Sequence, residues 1–447
     1  MLLSFSAGNY KSFREPFIFS LQPVPKQTGL DYSLLEEETS AGTVRGLSSA
    51  VIYGPNAAGK TNIIGAVDTL RAIVLRGHIR NGDATQENRR SNMAAQHLEL
   101  IPNSCSEEEP VTFEIRFTAE GLLFDYRLVV GLGSFMQIDA YRQVLSESLS
   151  VNEENVFVRE GSKIQVPGIG KKLKDYIVAT QSVEETALRQ RLAEGGLNPT
   201  ELFLTNGFKA MFSHRLVEVI TTWFSQKLGI IYHADSVQFF PISDDRYLRF
   251  MNRLIQPAAQ IFGADAHEVV YTKNSEETRP ALLYSKIGNN ALPAEIYESY
   301  GTLRFVTLFP ILWQALRSGG TLLIDEFDAS IHPMALMSIV NVFHNDEINV
   351  NHAQLIFNTH NPIFLNADLY RRDEIKFVER DDETGCSRQY SLADFGTAGV
   401  NGVRKGEDYL KNYFISRYGA IREVDFSEIF RQATQSLEQN GKNEGAV

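Results

Sequence analysis

The sequence predicts an α/β protein: a mixed sheet around a phosphate-loop core, an antiparallel β region and an inserted helical lobe. Three observations predict it. Gly54-Pro55-Asn56-Ala57-Ala58-Gly59-Lys60-Thr61 fits G-x-x-x-x-G-K-[ST] and lies between an apolar run, Ser49 to Tyr53, and a helix-like stretch. Val111, Phe113, Ile115 and Phe117 alternate with polar residues, as do Phe124, Tyr126, Leu128 and Val130 after a turn at Gly121; this is the pattern of an antiparallel sheet. Residues 171–262 lose that alternation and read as helices.

Composition bounds the function. The chain has 447 residues, enough for two or three domain-sized units. Hydrophobic content of 43% with 22% charged residues fits a soluble globular protein. No apolar run approaches the roughly 18 residues of a membrane span, so no membrane partner is expected. Met1-Leu2-Leu3-Ser4-Phe5 has neither the basic region nor the long apolar core of a signal peptide. Two cysteines, Cys105 and Cys386, are too few for a disulfide scaffold. A cytoplasmic location is the expectation. A net charge of −12 argues against a whole surface built to hold nucleic acid, which leaves a local basic patch as the route to DNA.

In chain order, strands are expected at Leu2 to Ser4 and Pro16 to Leu21, around a turn at Asn9-Tyr10-Lys11-Ser12-Phe13. Residues 22–46, rich in Pro, Glu and Ser, read as a long surface loop. After the phosphate loop, Ile63, Ile64, Val67, Leu70, Ile73 and Val74 mark one helical face, to about Arg76. Residues 77–108 read as a mobile polar connection. A second hairpin is expected at Glu160-Gly161-Ser162-Lys163. Lys171 to Ala193 and Phe208 to Leu228 are expected helices, and a third starts at Asp244-Asp245 and is broken or kinked at Pro257. Strands return at Val269 to Tyr271 and Ala281 to Lys286, and the end frays from Gln435. The expected division is 1–170 and 266–447 as the two halves of one head, with 171–265 as the helical insertion.

The chemistry concentrates at four places. In the phosphate loop, backbone N–H groups close around phosphate oxygens at a helix N-terminus. Lys60 reaches the β- and γ-phosphates, and the Thr61 hydroxyl sits on Mg²⁺. Thr321 to Glu326 is an apolar strand ending in two carboxylates. Asp325 is placed to hold Mg²⁺, and Glu326 to orient or deprotonate an attacking water. Gln354 to Phe357 is another apolar strand, followed by Asn358-Thr359-His360. One helix and one strand fit between Asp325 and His360, which places His360 beside the γ-phosphate in a parallel sheet. Ser299 and Gly301 precede a helix whose buried face is Phe305, Leu308, Phe309, Leu312 and Leu316. That position favours an anion, although a serine cap and a glycine turn are also ordinary helix starts.

The order of these elements resembles the ATP-binding-cassette superfamily: phosphate loop, Ser-x-Gly signature, Walker B with an adjacent Glu, then a switch histidine. The resemblance implies an ABC-type ATPase head that binds ATP with Mg²⁺ through Asn56, Ala57, Ala58, Gly59, Lys60, Thr61 and Asn62. Thr61 and Asp325 are then the metal-holding pair, and Glu326 and His360 the catalytic residues. Ser299 and Gly301 complete the site of a second copy. Gly-Pro-Asn-x-x-Gly-Lys-Thr-Asn and Asn9-Tyr10-Lys11-Ser12-Phe13 resemble the soluble chromosome-maintenance and repair (SMC/RecF-like) branch. The signature departs from the fuller Leu-Ser-Gly-Gly-Gln, and no glutamine loop is assigned.

A narrower resemblance lies in Ser-Tyr-Gly-Thr-Leu-Arg (299–304), Asp-Glu-Phe-Asp-Ala-Ser-Ile-His-Pro (325–333) and Asn-Thr-His-Asn-Pro (358–362). Phe377-Val378-Glu379, Tyr390 to Phe395 and Arg417 to Ile421 extend it. These are similar to the ATPase partner of two-gene phage-defence systems of the RloA/AbiLii and PARIS (AriA) types. That implies a self-associating ATPase that senses a phage protein trigger and controls a separate toxin or nuclease. Two other readings stand beside it: a DNA repair or recombination clamp, and a scaffold that holds ATP with little turnover.

Overall fold

The computed structural model of the chain describes residues 1–25, 27, 29–80, 98–133, 141–167, 173, 176, 183–232, 245–261, 267–272, 282–397, 402–404, 406–422 and 425–432. Two large sheets organise them. The first is antiparallel and has seven strands in the order β10-β9-β8-β7-β6-β1-β2. These are β1 (Leu2–Gly8), β2 (Phe17–Ser20), β6 (Val111–Ala119), β7 (Leu122–Gly131), β8 (Gln143–Val151), β9 (Glu154–Glu160) and β10 (Lys163–Gln165). The period-two alternation of 111–130 is what pairs β6 with β7, Phe113 opposite Leu128 and Phe117 opposite Phe124. The hairpin expected at Glu160 to Lys163 joins β9 to β10.

The second sheet has six strands in the order β11-β15-β16-β5-β17-β18. They are β5 (Ser49–Tyr53), β11 (Leu228–Ile231), β15 (Thr321–Ile324), β16 (Gln354–Asn358), β17 (Ile375–Arg380) and β18 (Ser387–Ser391). The first five run parallel, and β18 returns antiparallel to β17. Both faces are covered, so β5 reads as a continuous apolar run. Ala50 and Ile52 face the larger core, with helix α1 (Lys60–Arg76) and the seven-stranded sheet. Val51 and Tyr53 face a second core on the other side.

That second core also takes residues from α5 (Tyr300–Ser318), α6 (Pro333–Phe343) and α7 (Tyr409–Phe414). A third, smaller core joins α4 (Asp245–Ile261) to the sheet of β12 (Glu268–Thr272), β13 (Leu282–Ile287) and β14 (Asn290–Pro293), and to Val306 of α5. No helix among the described residues is long and apolar enough to cross a membrane.

Several expectations need correction. Residues 22–46 are not one loop. They carry a 3₁₀ turn, Asp31–Ser33, and the hairpin of β3 (Leu34–Thr39) and β4 (Gly42–Leu47). Leu35 and Val44 pack with Met1, Leu3 and Leu123, while Glu36 and Glu38 face water, so the glutamates that suggested a loop form the outer face of a strand. Of the connection at 77–108, residues 81–97 lie outside the described set, but Leu98 and Leu100 are buried in the main core.

The helical stretch differs most. Among described residues the first helix is α2 (Val183–Gly196). The segment 208–228 is split: π turns occupy Leu204–Phe208 and Trp223–Lys227, and Ser213 caps a new helix, α3 (His214–Thr222), by accepting from Leu216 N at 2.9 Å. Pro257 lies inside α4 without ending it. Most consequentially, β11 falls within 171–265 yet is a strand of the parallel sheet, with Gly229 to Ile231 opposite Leu322 to Ile324. The stretch expected as an insertion therefore contains part of the head.

Candidate active site

Strands β15, β16 and β5 are adjacent and parallel, with Ile324 opposite Phe357 and Asn358 opposite Ile52. Their carboxyl ends, where sites form in open α/β sheets, thus meet on one edge. β5 ends at Tyr53, the chain turns through Gly54 to Gly59, and α1 begins at Lys60. Gly59 adopts φ 108°, and a Cβ there would lie 2.6 Å from both the Ser12 and Ser387 hydroxyls. Backbone conformation and space both demand glycine.

Lys60 is buried, and its Nζ donates to the carbonyls of Gly54 at 2.9 Å and Pro55 at 3.0 Å. Burial pulls its ammonium down to about 8; the carboxylates of Asp325, Asp328 and Glu326 oppose that shift. Thr61 Oγ1 donates to Asp325 Oδ1 at 3.0 Å, and Asn358 Nδ2 donates to the same oxygen. Asn358 Oδ1 in turn accepts from Glu326 N at 2.5 Å. Thr61 and Asp325 offer only oxygen donors. That set suits a hard cation such as Mg²⁺, which takes one or two protein ligands and fills the rest of its shell with phosphate and water.

Residues 56–62, Glu326 and His360 line one cleft, together with Ser12, Asn358 and Arg380. The structure thus brings the predicted loop, Glu326 and His360 together, with Asp325 bonded beneath them. Glu326 is exposed and holds φ 49°, which turns its side chain off the end of β15. The His360 backbone is fixed by its N–H to Asp328 Oδ2 at 3.2 Å. Its imidazole is held below the usual value, first by desolvation against the cleft wall and then by the Lys60 ammonium. The cleft encloses about 230 Å³, less than the roughly 300–1,000 Å³ of pockets that bury a whole small ligand.

Ser299 and Gly301 are not part of this lining. Ser299 caps α5, accepting from Thr302 N at 3.1 Å. Gly301 packs against the loop after Asp325: a Cβ there would lie 2.3 Å from the Ser330 carbonyl oxygen.

Three residues of the cleft were not among the predicted site residues. Ser12 accepts from Asn62 Nδ2 at 2.7 Å, and its carbonyl accepts from Ser387 N at 2.7 Å. The signal for it is the Asn9 to Phe13 motif, which the sequence marks as a turn and as part of the family resemblance but not as a site. Asn358 was legible as a polar residue ending a buried strand. Arg380 carries no local signal, because it reaches the cleft through the sheet order.

The sequence matches the family model described as "AAA domain, putative AbiEii toxin, Type IV TA system" over residues 49–182 and 255–366, more than half of the chain. No curated protein matches it. Among solved structures it is similar to the SmcHead bound to the C-winged helix domain of ScpA, at 14% identity over 87% of this chain and 97% of that one, with a TM-score of 0.41. It is also similar to the Smc head domain with an extended coiled coil bound to the C-terminal domain of ScpA from Pyrococcus furiosus: 14% identity, 87% and 96% coverage, TM-score 0.38. A third likeness is to a structure from work on ATP-driven dimerization and DNA stimulated activation of SMC ATPases: 16% identity, 33% and 85% coverage, TM-score 0.23.

Proposed function

The chain belongs to this AbiEii-like AAA-domain family of ATPases, and from that premise we propose that it hydrolyses ATP at the phosphate-loop cleft and uses the cycle to control a separate effector. The observation that carries the reading is the bond from Thr61 Oγ1 to Asp325 Oδ1 at 3.0 Å, across a sequence separation of 264 residues, with Glu326 and His360 on the same cleft.

The N–H groups of the loop and the start of α1 receive the phosphates. The Lys60 ammonium leaves the Gly54 and Pro55 carbonyls for the β- and γ-phosphate oxygens. Thr61 and Asp325 hold Mg²⁺, which when bound neutralises charge on the β- and γ-phosphates. Water attacks the γ-phosphorus in line, the bond to the bridging β-oxygen breaks, and Glu326 accepts the proton. His360 donates a hydrogen bond to a γ-phosphate oxygen. Ser299 and Gly301, outside their own cleft, are assigned to the γ-phosphate of a second copy, so that ATP closes a head–head dimer.

The resemblance to the ATPase partner of two-gene defence systems supports a toxin or nuclease as the effector and a phage protein as the trigger. The test is ATP turnover against protein concentration, with co-purification of the neighbouring gene product with and without Mg-ATP. Turnover per chain should rise with concentration, and the partner's occupancy should depend on nucleotide. Turnover independent of concentration in a monomeric sample contradicts the dimer, and a partner indifferent to nucleotide contradicts the control.

A further inference from the structure

The chain has two cysteines, and the fold brings them to one place. Cys105 is exposed in the turn before β6, and Cys386 is half-buried at the start of β18. Both thiols donate to the same acceptor, the Thr384 carbonyl oxygen, Cys105 Sγ at 3.3 Å and Cys386 Sγ at 3.7 Å. The two sulfurs are therefore no more than about 7 Å apart. They share a second neighbour: Asn103 Oδ1 accepts from Cys105 N at 2.9 Å and lies 3.9 Å from Cys386 Sγ.

Each thiol sits on a fixed frame. Asn103 is buried, its N–H donates to Asn9 Oδ1 at 3.0 Å, and its Nδ2 donates to Lys11 O at 2.7 Å. The opposite frame is the β17–β18 turn, where Asp381 Oδ1 accepts from Thr384 N at 2.7 Å and Asp381 N donates to Cys386 O at 2.9 Å. The two thiols thus face each other across the Thr384 carbonyl, one carried by the Asn103 turn and the other by the β17–β18 turn.

We propose that Cys105 and Cys386 form a reversible intramolecular disulfide, with a peroxide as oxidant, and that the bond fastens one wall of the nucleotide cleft. The exposed Cys105 thiolate attacks a peroxide oxygen, the O–O bond breaks, and a sulfenic acid forms with release of hydroxide or, from an organic peroxide, alkoxide. The Cys386 thiolate then attacks that sulfur and expels hydroxide. The two thiol protons convert the two released anions to water or alcohol, and two electrons pass from sulfur to the peroxide.

The reach into the cleft is short on both sides. Ser387, next to Cys386, donates through Oγ to the Ala58 carbonyl of the phosphate loop at 2.6 Å and through N to Ser12 O at 2.7 Å. On the other side, Asn103 holds Lys11, the neighbour of Ser12, which lines the cleft. The disulfide would tie the loop before β6 to the β17–β18 hairpin, whose Ser387 holds the phosphate loop at Ala58. The effect on nucleotide rests on the ATP reading above; the bond itself does not.

The experiment uses the full reduced chain treated with hydrogen peroxide, quenched with an alkylating agent and mapped without reduction. The expected result is a Cys105–Cys386 linked peptide that dithiothreitol abolishes. Amide exchange should slow at residues 9–13 and 381–387, and release of a fluorescent ATP analogue should slow several-fold. Cys105→Ser and Cys386→Ser should each bind the analogue as the reduced chain does and lose the response. Separately oxidised cysteines without a linked peptide, a bond between two chains, or a linked peptide with unchanged exchange overturns the proposal. A reduced chain that binds no ATP analogue counts against the ATP reading alone, because the linked peptide and the amide exchange are read without nucleotide.

Discussion

Arg304 Nη2 donates to the Glu326 carbonyl oxygen at 2.7 Å. The N-terminal part of α5, which begins after the Ser299 cap, is thereby tied to the residue assigned to activate water. Glu326 is held in a left-handed conformation from both sides, by Arg304 at its carbonyl and by Asn358 at its N–H. Such a φ persists in a non-glycine residue only when the surroundings impose it.

Arg304→Ala should therefore lower kcat more than it changes ATP affinity, since Glu326 loses its aim while the phosphate loop is untouched. A stability loss of about 1.5–3 kcal/mol is expected from a hydrogen bond to a charged group. Steady-state hydrolysis beside direct ATP titration checks this. Weakened ATP binding with unchanged kcat would refute it.

The parts of the site that were legible in the sequence are those whose chemistry is local. Gly54 to Thr61, Thr321 to Glu326 and Gln354 to His360 each carry their role within a strand and the turn after it. The rest depends on neighbours far along the chain. Leu228–Ile231 is four residues long and follows a π turn, so neither period nor length marks it as a core strand. Its place beside β15 is set by the sheet, not by its own pattern. Ser12 reaches the cleft from the turn between β1 and β2 and Arg380 from the end of β17, and no spacing connects them to Lys60. The β3–β4 hairpin hid because its outer face is acidic and its inner face supplies few apolar residues.

Gly301→Ala and Ser299→Ala separate packing from capping at the same turn. The alanine Cβ at 301 would meet the Ser330 backbone carbonyl at 2.3 Å, so the loop after Asp325 must shift. Overpacking of this kind costs about 1–3 kcal/mol. Loss of the Ser299 cap costs about 0.5–2 kcal/mol. Both variants should keep single-chain ATP binding, because neither residue lines the cleft, and both should lose concentration-dependent turnover. Thermal melts with binding titrations test this; ATP binding abolished in a still-folded Ser299→Ala chain would place the signature in its own site.

Lys60 predicts two opposite pH slopes. In the ligand-free chain its ammonium titrates at about 8, against 10.5 for an ordinary lysine. Between these values the unfolded chain binds more protons, so this group makes ligand-free stability rise with pH through that window. ATP requires the charged form, so affinity should fall over the same window and binding should take up a proton. Lys60→Arg keeps its charge throughout and should flatten the affinity curve. Calorimetry in buffers of different ionisation enthalpy measures the proton uptake; a flat affinity for the unaltered chain from pH 8 to 10.5 would exclude this account of Lys60.

Glu326→Gln separates binding from turnover. The amide keeps the size of the carboxylate and cannot accept the proton of the attacking water. Thr61, Asp325 and Lys60 remain, as does the Asn358 contact, which is made by the Glu326 backbone. ATP should bind at near-normal affinity while hydrolysis falls by about 10²- to 10⁴-fold, the usual worth of general-base catalysis. The long-lived ATP state should accumulate dimer and hold any partner whose complex needs ATP. If release of an effector requires hydrolysis, the variant stays locked and protection against phage is lost; if ATP binding alone is the signal, the variant stays active without turnover. Hydrolysis, dimer content with Mg-ATP and phage survival, measured together, distinguish the two. Hydrolysis near the unaltered rate would remove Glu326 from the mechanism and transfer its role to Asp325 or His360, the other groups at that edge of the sheet.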